Sequence, residues 1–181
     1  RIAHSFFTQA PNHSYWDGCS TGGRQAMISA QRFPDDFDGI VAGAPVNYYQ
    51  AMNAAGTWNL QRMFKDNFAG NLAIDSNGDG QRDSVELVQI LNDAVLHKCD
   101  ANDGIRDGVL NNPLSCDFDP RADLSDHICP SSGNDAACFN DAQIQTIADF
   151  YSGPYDSNGT VIYPGRTKGS ELDWACPTTP H

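Results

Sequence analysis

The sequence has no long hydrophobic run and few basic residues. No apolar stretch approaches the ~18 residues that cross a bilayer, so we expect no membrane segment in this chain. The chain has 11 Lys and Arg against 23 Asp and Glu, a net charge of −12. Because nucleic acid phosphates require basic side chains, nucleic acid is not an expected partner. The sequence also has no initiator Met and no signal peptide, and we interpret it as part of a longer or processed protein.

Glutamate is almost absent. Of the 23 acidic residues only Glu86 and Glu171 are Glu, and all the others are Asp. Glu favours helix surfaces, whereas Asp favours turns, helix caps and sites for hard cations. The composition therefore indicates many loops and points to calcium as a cofactor, with no organic cofactor implied.

Cysteine is plentiful for a cytosolic protein, at six residues. Six cysteines allow many pairings, and the pattern alone selects none of them. Two pairs flank loop-like stretches, as short disulfide loops do: Cys99 with Cys116, and Cys129 with Cys138.

Two glycosylation sequons, at Asn12 and Asn158, also occur in the chain. Together with the cysteines they predict a secreted protein, either extracellular or periplasmic.

The order of predicted elements indicates an α/β fold. A strand over 14–19, a helix over 24–33 and a buried strand over 39–43 form a βαβ unit. Further helices are predicted over 52–64, over 85–97 and from Asn140 to a stop at Gly153. The predicted buried face of the first helix is Ala26, Met27, Ala30 and Phe33, and that of the 85–97 helix is Leu87, Val88, Leu91, Ala94 and Val95.

Gly18-Cys19-Ser20-Thr21-Gly22 matches the nucleophile elbow pattern G-x-S-x-G. The chemistry needs a sharp turn that exposes the serine hydroxyl, and flanking glycines remove Cβ atoms that would collide there. Ser20 is the predicted nucleophile, and the backbone N–H of Thr21 is predicted to face the oxyanion. The alternative is an ordinary turn between a strand and a helix. The predicted strand before it and the helix after it favour the elbow.

Longer stretches around this pattern resemble the tannase and feruloyl esterase family. The resemblance also covers a second block that looks like the start of the family's lid. The matching segments are YWDGCSTGGRQ (15–25), QRFP (31–34), FDGIVAGAP (37–45), CDANDGIRDGV (99–109) and CDFDP (116–120).

The resemblance implies an α/β-hydrolase core over 1–50, followed by an incomplete lid insertion over 51–181 that disulfides and calcium stabilise. It also implies that Cys19 bonds a cysteine next to the catalytic histidine. No His-Cys pair occurs in the chain, so that partner is expected outside it. His97 and His127 are interpreted as surface or structural residues. The catalytic Asp and His are expected beyond residue 181, which predicts that this chain alone is inactive.

An Asp-rich loop with the pattern D-x-x-D-G-x-x-D-G follows the 85–97 helix. Closely spaced carboxylates repel one another unless a cation neutralises them, and Ca²⁺ takes six to eight oxygen ligands. The alternative is a solvated acidic turn. By resemblance, the ligands are the carboxylates of Asp100, Asp103 and Asp107 and the backbone oxygens of Ile105 and Val109.

A second Asp-rich loop matches the EF-hand template on spacing alone. Asp83 and Glu86 also fit a helix N-cap and its partner, which is the competing interpretation. The candidate calcium ligands are Asp75, Asn77, Asp79, Gln81, Asp83 and Glu86.

The resemblance implies a serine carboxylesterase acting on feruloyl or galloyl esters from plant cell walls or tannins through a Ser20 acyl-enzyme. Besides the ester substrate, we expect this chain to interact with the remaining C-terminal part of the same protein. The alternatives are a calcium-stabilised extracellular binding module and an inactive family member. The lid aromatics are predicted to form core instead of contacting substrate: Trp58, Phe64, Phe68, Tyr151 and Tyr155.

Overall fold

The computed structural model describes residues 2–9, 11–72, 85–130 and 138–174. The chain divides into two compact units, Arg1–Gln50 and Ala51–His181. Within the described ranges, no helix has both the length and the apolar character needed to cross a membrane. The helices are α1 (Ile2–Phe7), α2 (Thr21–Arg32), α3 (Tyr49–Phe68), α4 (Val85–Cys99), α5 (Pro120–Asp123) and α6 (Asp141–Ser152), and the strands are β1 (Tyr15–Cys19) and β2 (Gly39–Gly43).

The first unit contains the predicted strand–helix–strand arrangement. Strands β1 and β2 pair in parallel, in a register that runs from Tyr15 opposite Gly39 to Cys19 opposite Gly43. Helix α2 connects the strands and packs on both. It begins at Thr21, three residues earlier than predicted, so only one residue separates it from β1.

The first unit buries less apolar surface than the sequence predicted. Of the predicted face of α2 only Ala26 is buried, whereas Met27 and Phe33 are 39% and 55% exposed. Val41 in β2 is 62% exposed, so the prediction of a buried strand was wrong. The contact of α2 with the strands is made by the small Gly23 and Ala26, which leaves the larger Met27 and Phe33 outside it. Val41 is exposed because α2 does not cover its side chain.

The second unit contains the main hydrophobic core. The predicted stripe of α4 is confirmed, with Leu91 and Val95 fully buried and Ala94 partly buried. It packs with apolar residues of α6 and with Phe139. Burying one such side chain contributes about 1.5–3 kcal/mol, so this core stabilises the unit far more than its surface ion pairs do.

Helix α6 begins and ends as its sequence predicts. The Asn140 side chain accepts the Gln143 N–H, and the Gln143 side chain accepts the Asn140 N–H, both at 2.8 Å. This capping box satisfies two N–H groups that a helix start otherwise leaves unpaired. Gly153, with a φ of 73°, ends the helix. In α3, helical geometry breaks down at Lys65, which is close to the predicted helix end at residue 64.

Two disulfides fasten the loops of the second unit: Cys99–Cys116 and Cys129–Cys138. The amine of Lys168 donates a hydrogen bond to the Cys116 carbonyl at 2.5 Å and lies 5.7 Å from the centre of the Tyr151 ring. These contacts attach segments that bury little apolar area of their own.

A buried carboxylate joins the last described turn, Glu171–Trp174, to α4 and α6. Glu171 is fully buried and accepts hydrogen bonds from Asn92, from the Tyr151 hydroxyl and from the Gly169 N–H at 2.7–2.8 Å. Burial, and then the charge of Glu171, raise the pKa of Tyr151. The phenol therefore stays protonated and acts as a donor to the carboxylate.

Replacing Glu171 by Gln is expected to destabilise the protein by about 1–3 kcal/mol. The amide NH₂ of Gln would take the place of a carboxylate oxygen, so at least one of the buried donors that Glu171 now accepts from would lose its hydrogen bond. The free energy of unfolding in urea measures the effect. Asp173→Asn, at an exposed position of the same turn, is the matched control and should change stability by less than about 0.5 kcal/mol. Equal effects of the two substitutions would contradict the role of the Glu171 network.

Candidate active site

Ser20 is the single residue between the end of β1 and the start of α2. Its backbone has φ 59° and ψ −116°, a left-handed φ that non-glycine residues rarely adopt. Such a conformation costs about 1–3 kcal/mol and persists only where neighbouring contacts enforce it. The sequence pattern therefore corresponds to a real sharp turn, which carries a serine with an exposed side chain.

The turn is held in place from β2. The Ser20 N–H donates to the Gly43 carbonyl at 3.1 Å, which extends the parallel ladder by one residue past β1. The Trp16 indole N–H donates to the Gly22 carbonyl at 3.2 Å, and the Trp16 ring packs edge-on against Phe37. No sequence pattern indicates this role of Trp16, because no spacing rule connects an indole to a helix start.

Glycines are required at two positions of this turn. A Cβ on Gly18 would lie 2.7 Å from the backbone of Gly22, and a Cβ on Gly23 would collide with the Gly43 carbonyl oxygen. A Cβ on Gly22 would meet nothing within 4 Å. Gly18 and Gly23 thus permit the close approach of strand and helix, whereas Gly22 is not needed for space.

The start of α2 leaves donors available beside Ser20. The N–H groups in the first turn of a helix have no acceptor within the helix and carry partial positive charge. Thr21 is the first residue of α2, so its N–H belongs to this group. Donors of this kind are what an oxyanion needs, and the assignment of the Thr21 N–H to that role stays a prediction.

Among the described residues, no side chain forms a hydrogen bond with the Ser20 hydroxyl. His13 is exposed and lies 3.8 Å from Asp38. His97 and His127 belong to the second unit, where they border a cavity with Lys98. Cys19 is exposed and has no disulfide partner in the described ranges. Cys176 lies outside those ranges.

The first Asp-rich loop turns at Gly104 and Gly108, whose φ values are 93° and 80°. Asp103 accepts the Ile105 N–H at 2.9 Å, and Asp107 accepts the Val109 N–H at 3.1 Å. The carboxylate of Asp100 accepts the Gly108 N–H, also at 3.1 Å.

These carboxylates suit calcium by chemistry, since all the candidate ligand atoms are oxygens. Their positions are less suitable, because each faces N–H groups of the loop itself. Across the described part of the chain, no three His, Cys, Asp or Glu side chains are arranged to hold a metal ion. The second predicted calcium loop runs from Asp75 to Glu86. Its residues up to 84, and the side chain of Glu86, lie outside the part of the chain that the structure describes.

Both sequons lie at exposed positions. Asn158 is in a tight turn in which the Asp156 carboxylate accepts the N–H groups of Asn158 and Thr160 at 2.8 and 2.9 Å. Asn12 precedes β1 and is also exposed.

A cavity of about 940 Å³ lies within the second unit. Phe64 and Phe68 border it and are 49% and 55% exposed, so their assignment to the lid core was wrong, as it was for Tyr155 at 49%. The physical reason is that Phe64 and Phe68 lie on either side of the point where helical geometry in α3 fails, whereas Tyr155 lies in the loop after α6. At these places the described elements leave the three rings partly uncovered. Tyr151 fits the prediction better, because it is half-buried and packs on Phe118 and Trp174.

Comparison with known proteins supplies the context for this geometry. The family model described as "Tannase and feruloyl esterase" matches residues 1–181. A probable feruloyl esterase B-1 of Aspergillus oryzae is 34% identical over 171 residues, which are 94% of this chain and 29% of the relative.

Two solved structures share the fold. The crystal structure of feruloyl esterase B from Aspergillus oryzae superposes with a TM-score of 0.67 at 31% identity, covering 94% of this chain and 32% of that one. The tannin acyl hydrolase from Aspergillus niger superposes with a TM-score of 0.60 at 21% identity, covering 94% and 31%, and shows likeness of fold alone. The chain thus spans under a third of the length of these proteins.

We predict that Gly23→Ala disrupts the turn at Ser20, because the new methyl group would collide with the Gly43 carbonyl. The expected loss is about 1–3 kcal/mol in the free energy of unfolding, measured by chemical denaturation. Gly22→Ala is the control and should be neutral or stabilising, since its Cβ enters open space within a helix. Equal tolerance of both substitutions would mean that α2 does not approach β2 this closely.

Proposed function

Since this chain belongs to the tannase and feruloyl esterase family, we propose that it carries the nucleophile of a carboxylic ester hydrolase. The proposed substrates are esters of phenolic acids, either feruloyl or galloyl, from plant cell walls or tannins. The name of the feruloyl esterase relative and the description of the family support this substrate class.

Ser20 is the proposed attacking residue. Its hydroxyl oxygen bonds to the ester carbonyl carbon while its proton passes to a base, and the Thr21 N–H hydrogen-bonds the resulting oxyanion. The alcohol leaves with a proton returned by that base, which gives an acyl-Ser20. Water then attacks the acyl group by the same steps in reverse, releasing the phenolic acid and restoring the serine.

The observation that carries this proposal is the backbone of Ser20, with its φ of 59° at the junction of β1 and α2. A nucleophile elbow needs this sharp turn in order to expose the hydroxyl at the end of a strand. An ordinary turn between a strand and a helix needs no such conformation at a serine.

The base and its carboxylate partner are proposed to lie outside residues 1–181, and these residues alone are proposed to be inactive. The motif order of α/β-hydrolases supports this, because the acid and the histidine follow the serine in the sequence. In the same proposal, residues 51–181 belong to a lid, and Cys19 bonds a cysteine beside that histidine.

Calcium is the proposed structural cofactor of the first Asp-rich loop. Asp100, Asp103 and Asp107 would hold it with their carboxylates, and Ile105 and Val109 with their backbone oxygens. Neutralising three nearby carboxylates is what the ion would contribute to stability. The disulfides and the exposed sequons support a secreted protein, with glycans proposed at Asn12 and Asn158.

Ser20→Ala is expected to abolish covalent labelling by a fluorophosphonate probe and to lower hydrolysis of methyl ferulate by about 10³-fold or more. The experiment uses the protein expressed from its complete gene. Thr21→Ala is the matched control and should keep labelling, because the proposed role of Thr21 requires only its backbone. An unlabelled, well-folded wild type would overturn the esterase proposal in favour of a binding module or an inactive relative.

Removing calcium with a chelator is expected to lower the Tm of the protein. At calcium one hundred times its Kd the ion adds about 2.7 kcal/mol, or about 5–10 °C for a chain of this size. Asp107→Asn should remove most of this response while leaving the chelated protein nearly unchanged, since it also relieves charge repulsion. Asp126→Asn, exposed and outside the loop, should keep the full response. If neither calcium nor the chelator changes the Tm, the proposed calcium site in the first Asp-rich loop would be contradicted.

A further inference from the structure

The cavity in the second unit has aromatic walls. Phe150 and Trp174 form a buried pair with ring centres 5.3 Å apart, and Phe64 and Phe68 form a more exposed pair at 5.2 Å. All four residues border the cavity, as does Leu60, which is 52% exposed. Aromatic rings prefer offset or edge-on contact with other rings, so these walls suit a flat, apolar ring.

The described lining of the cavity carries a positive charge, although the chain as a whole is acidic. Among the residues that the structure describes, Arg166 is the only charged one that borders the cavity, although acidic residues outnumber basic ones 23 to 11 in the whole sequence. The main-chain N–H of Arg166 donates to the Phe150 carbonyl at 2.7 Å, which fixes its backbone next to the aromatic wall. No described acidic residue forms an ion pair with it. A ligand with one negative charge would therefore be complementary to this cavity.

Arg62, which lies on α3 between the cavity residues Leu60 and Met63 in sequence, is engaged in other contacts. Its guanidinium nitrogen Nε lies 3.1 Å from an Asp149 oxygen, and its Cζ lies 4.6 Å from the centre of the Trp58 ring. Both contacts hold it in place, which leaves Arg166 as the cation available to a ligand among the described residues of this cavity.

We propose that this cavity binds an aromatic carboxylate, with the ring against the aromatic walls and the carboxylate paired with Arg166. A guanidinium presents two parallel N–H donors to a carboxylate, which gives the pair both strength and orientation. The choice of a phenolic acid rests on the proposed function, because hydrolysis of a phenolic ester releases an acid of this class. The cavity is thus proposed as a binding site for the free acid.

Binding of 4-hydroxycinnamate to the Ser20→Ala protein, followed by calorimetry and by tryptophan fluorescence, tests the proposal without any chemistry. Arg166→Met is expected to weaken binding about tenfold or more, since hydrogen bonds to charged groups are the stronger class. Arg32→Met removes the same charge from an exposed position outside the cavity and should leave binding unchanged. 4-Hydroxycinnamyl alcohol, which has the ring without the carboxylate, should bind weakly and equally to all three proteins.

Gly56→Leu provides a second variant that does not depend on Arg166. Gly56 lies on α3 at the cavity wall, and a Cβ there meets nothing within 4 Å. Leucine should enter the cavity from this wall and weaken binding while keeping or raising the Tm, because it also favours a helix more than glycine does.

Three results would overturn the proposal. They are equal binding of the acid and the alcohol, tighter binding of decanoate than of 4-hydroxycinnamate, and no binding of the aromatic acid at millimolar concentration. The fluorophosphonate experiment on wild type is independent of these measurements. If the protein is labelled but does not bind the acid, the esterase proposal stands and the proposed acid site is rejected. If it binds the acid but is not labelled, the acid site stands and the esterase proposal is rejected.

Discussion

The close approach of α2 to β2 is the constraint on which the first unit depends. Gly23 leaves no room for a side chain beside the Gly43 carbonyl, and that same carbonyl accepts the Ser20 N–H at 3.1 Å. The Gly43 carbonyl of β2 therefore sets both the distance between α2 and β2 and the position of Ser20. With so few buried side chains in this unit, backbone contact takes over the role that apolar packing has in larger cores.

The second unit is stabilised differently. Its apolar core around Leu91 and Phe139 is joined to long loops by two disulfides and by buried polar contacts to Glu171. A fully buried carboxylate is tolerated because neutral donors satisfy it, with no cation required at that position. The result is a framework in which irregular segments, including the one that bears Arg166, occupy defined positions next to the cavity.

Local patterns predicted the fold well, and contacts distant in sequence were the features they missed. The start and end of α6, the stripe of α4 and the sharp turn at Ser20 each depend on residues within a few positions of one another. The exposure of Phe64 and Phe68 depends on what packs against α3, which no periodicity encodes. The Trp16 hydrogen bond and the position of Arg166 at the cavity likewise arise from three-dimensional neighbours.

The conformation of Ser20 argues against a merely structural turn. At a φ of 59° glycine would be the less strained residue, because it adopts left-handed backbone without a Cβ penalty. A serine there accepts strain of about 1–3 kcal/mol. In the described residues its side chain forms no hydrogen bond that would offset this strain. The backbone hydrogen bond to Gly43 therefore holds the strained conformation, and the exposed hydroxyl is available for the role that we propose for it.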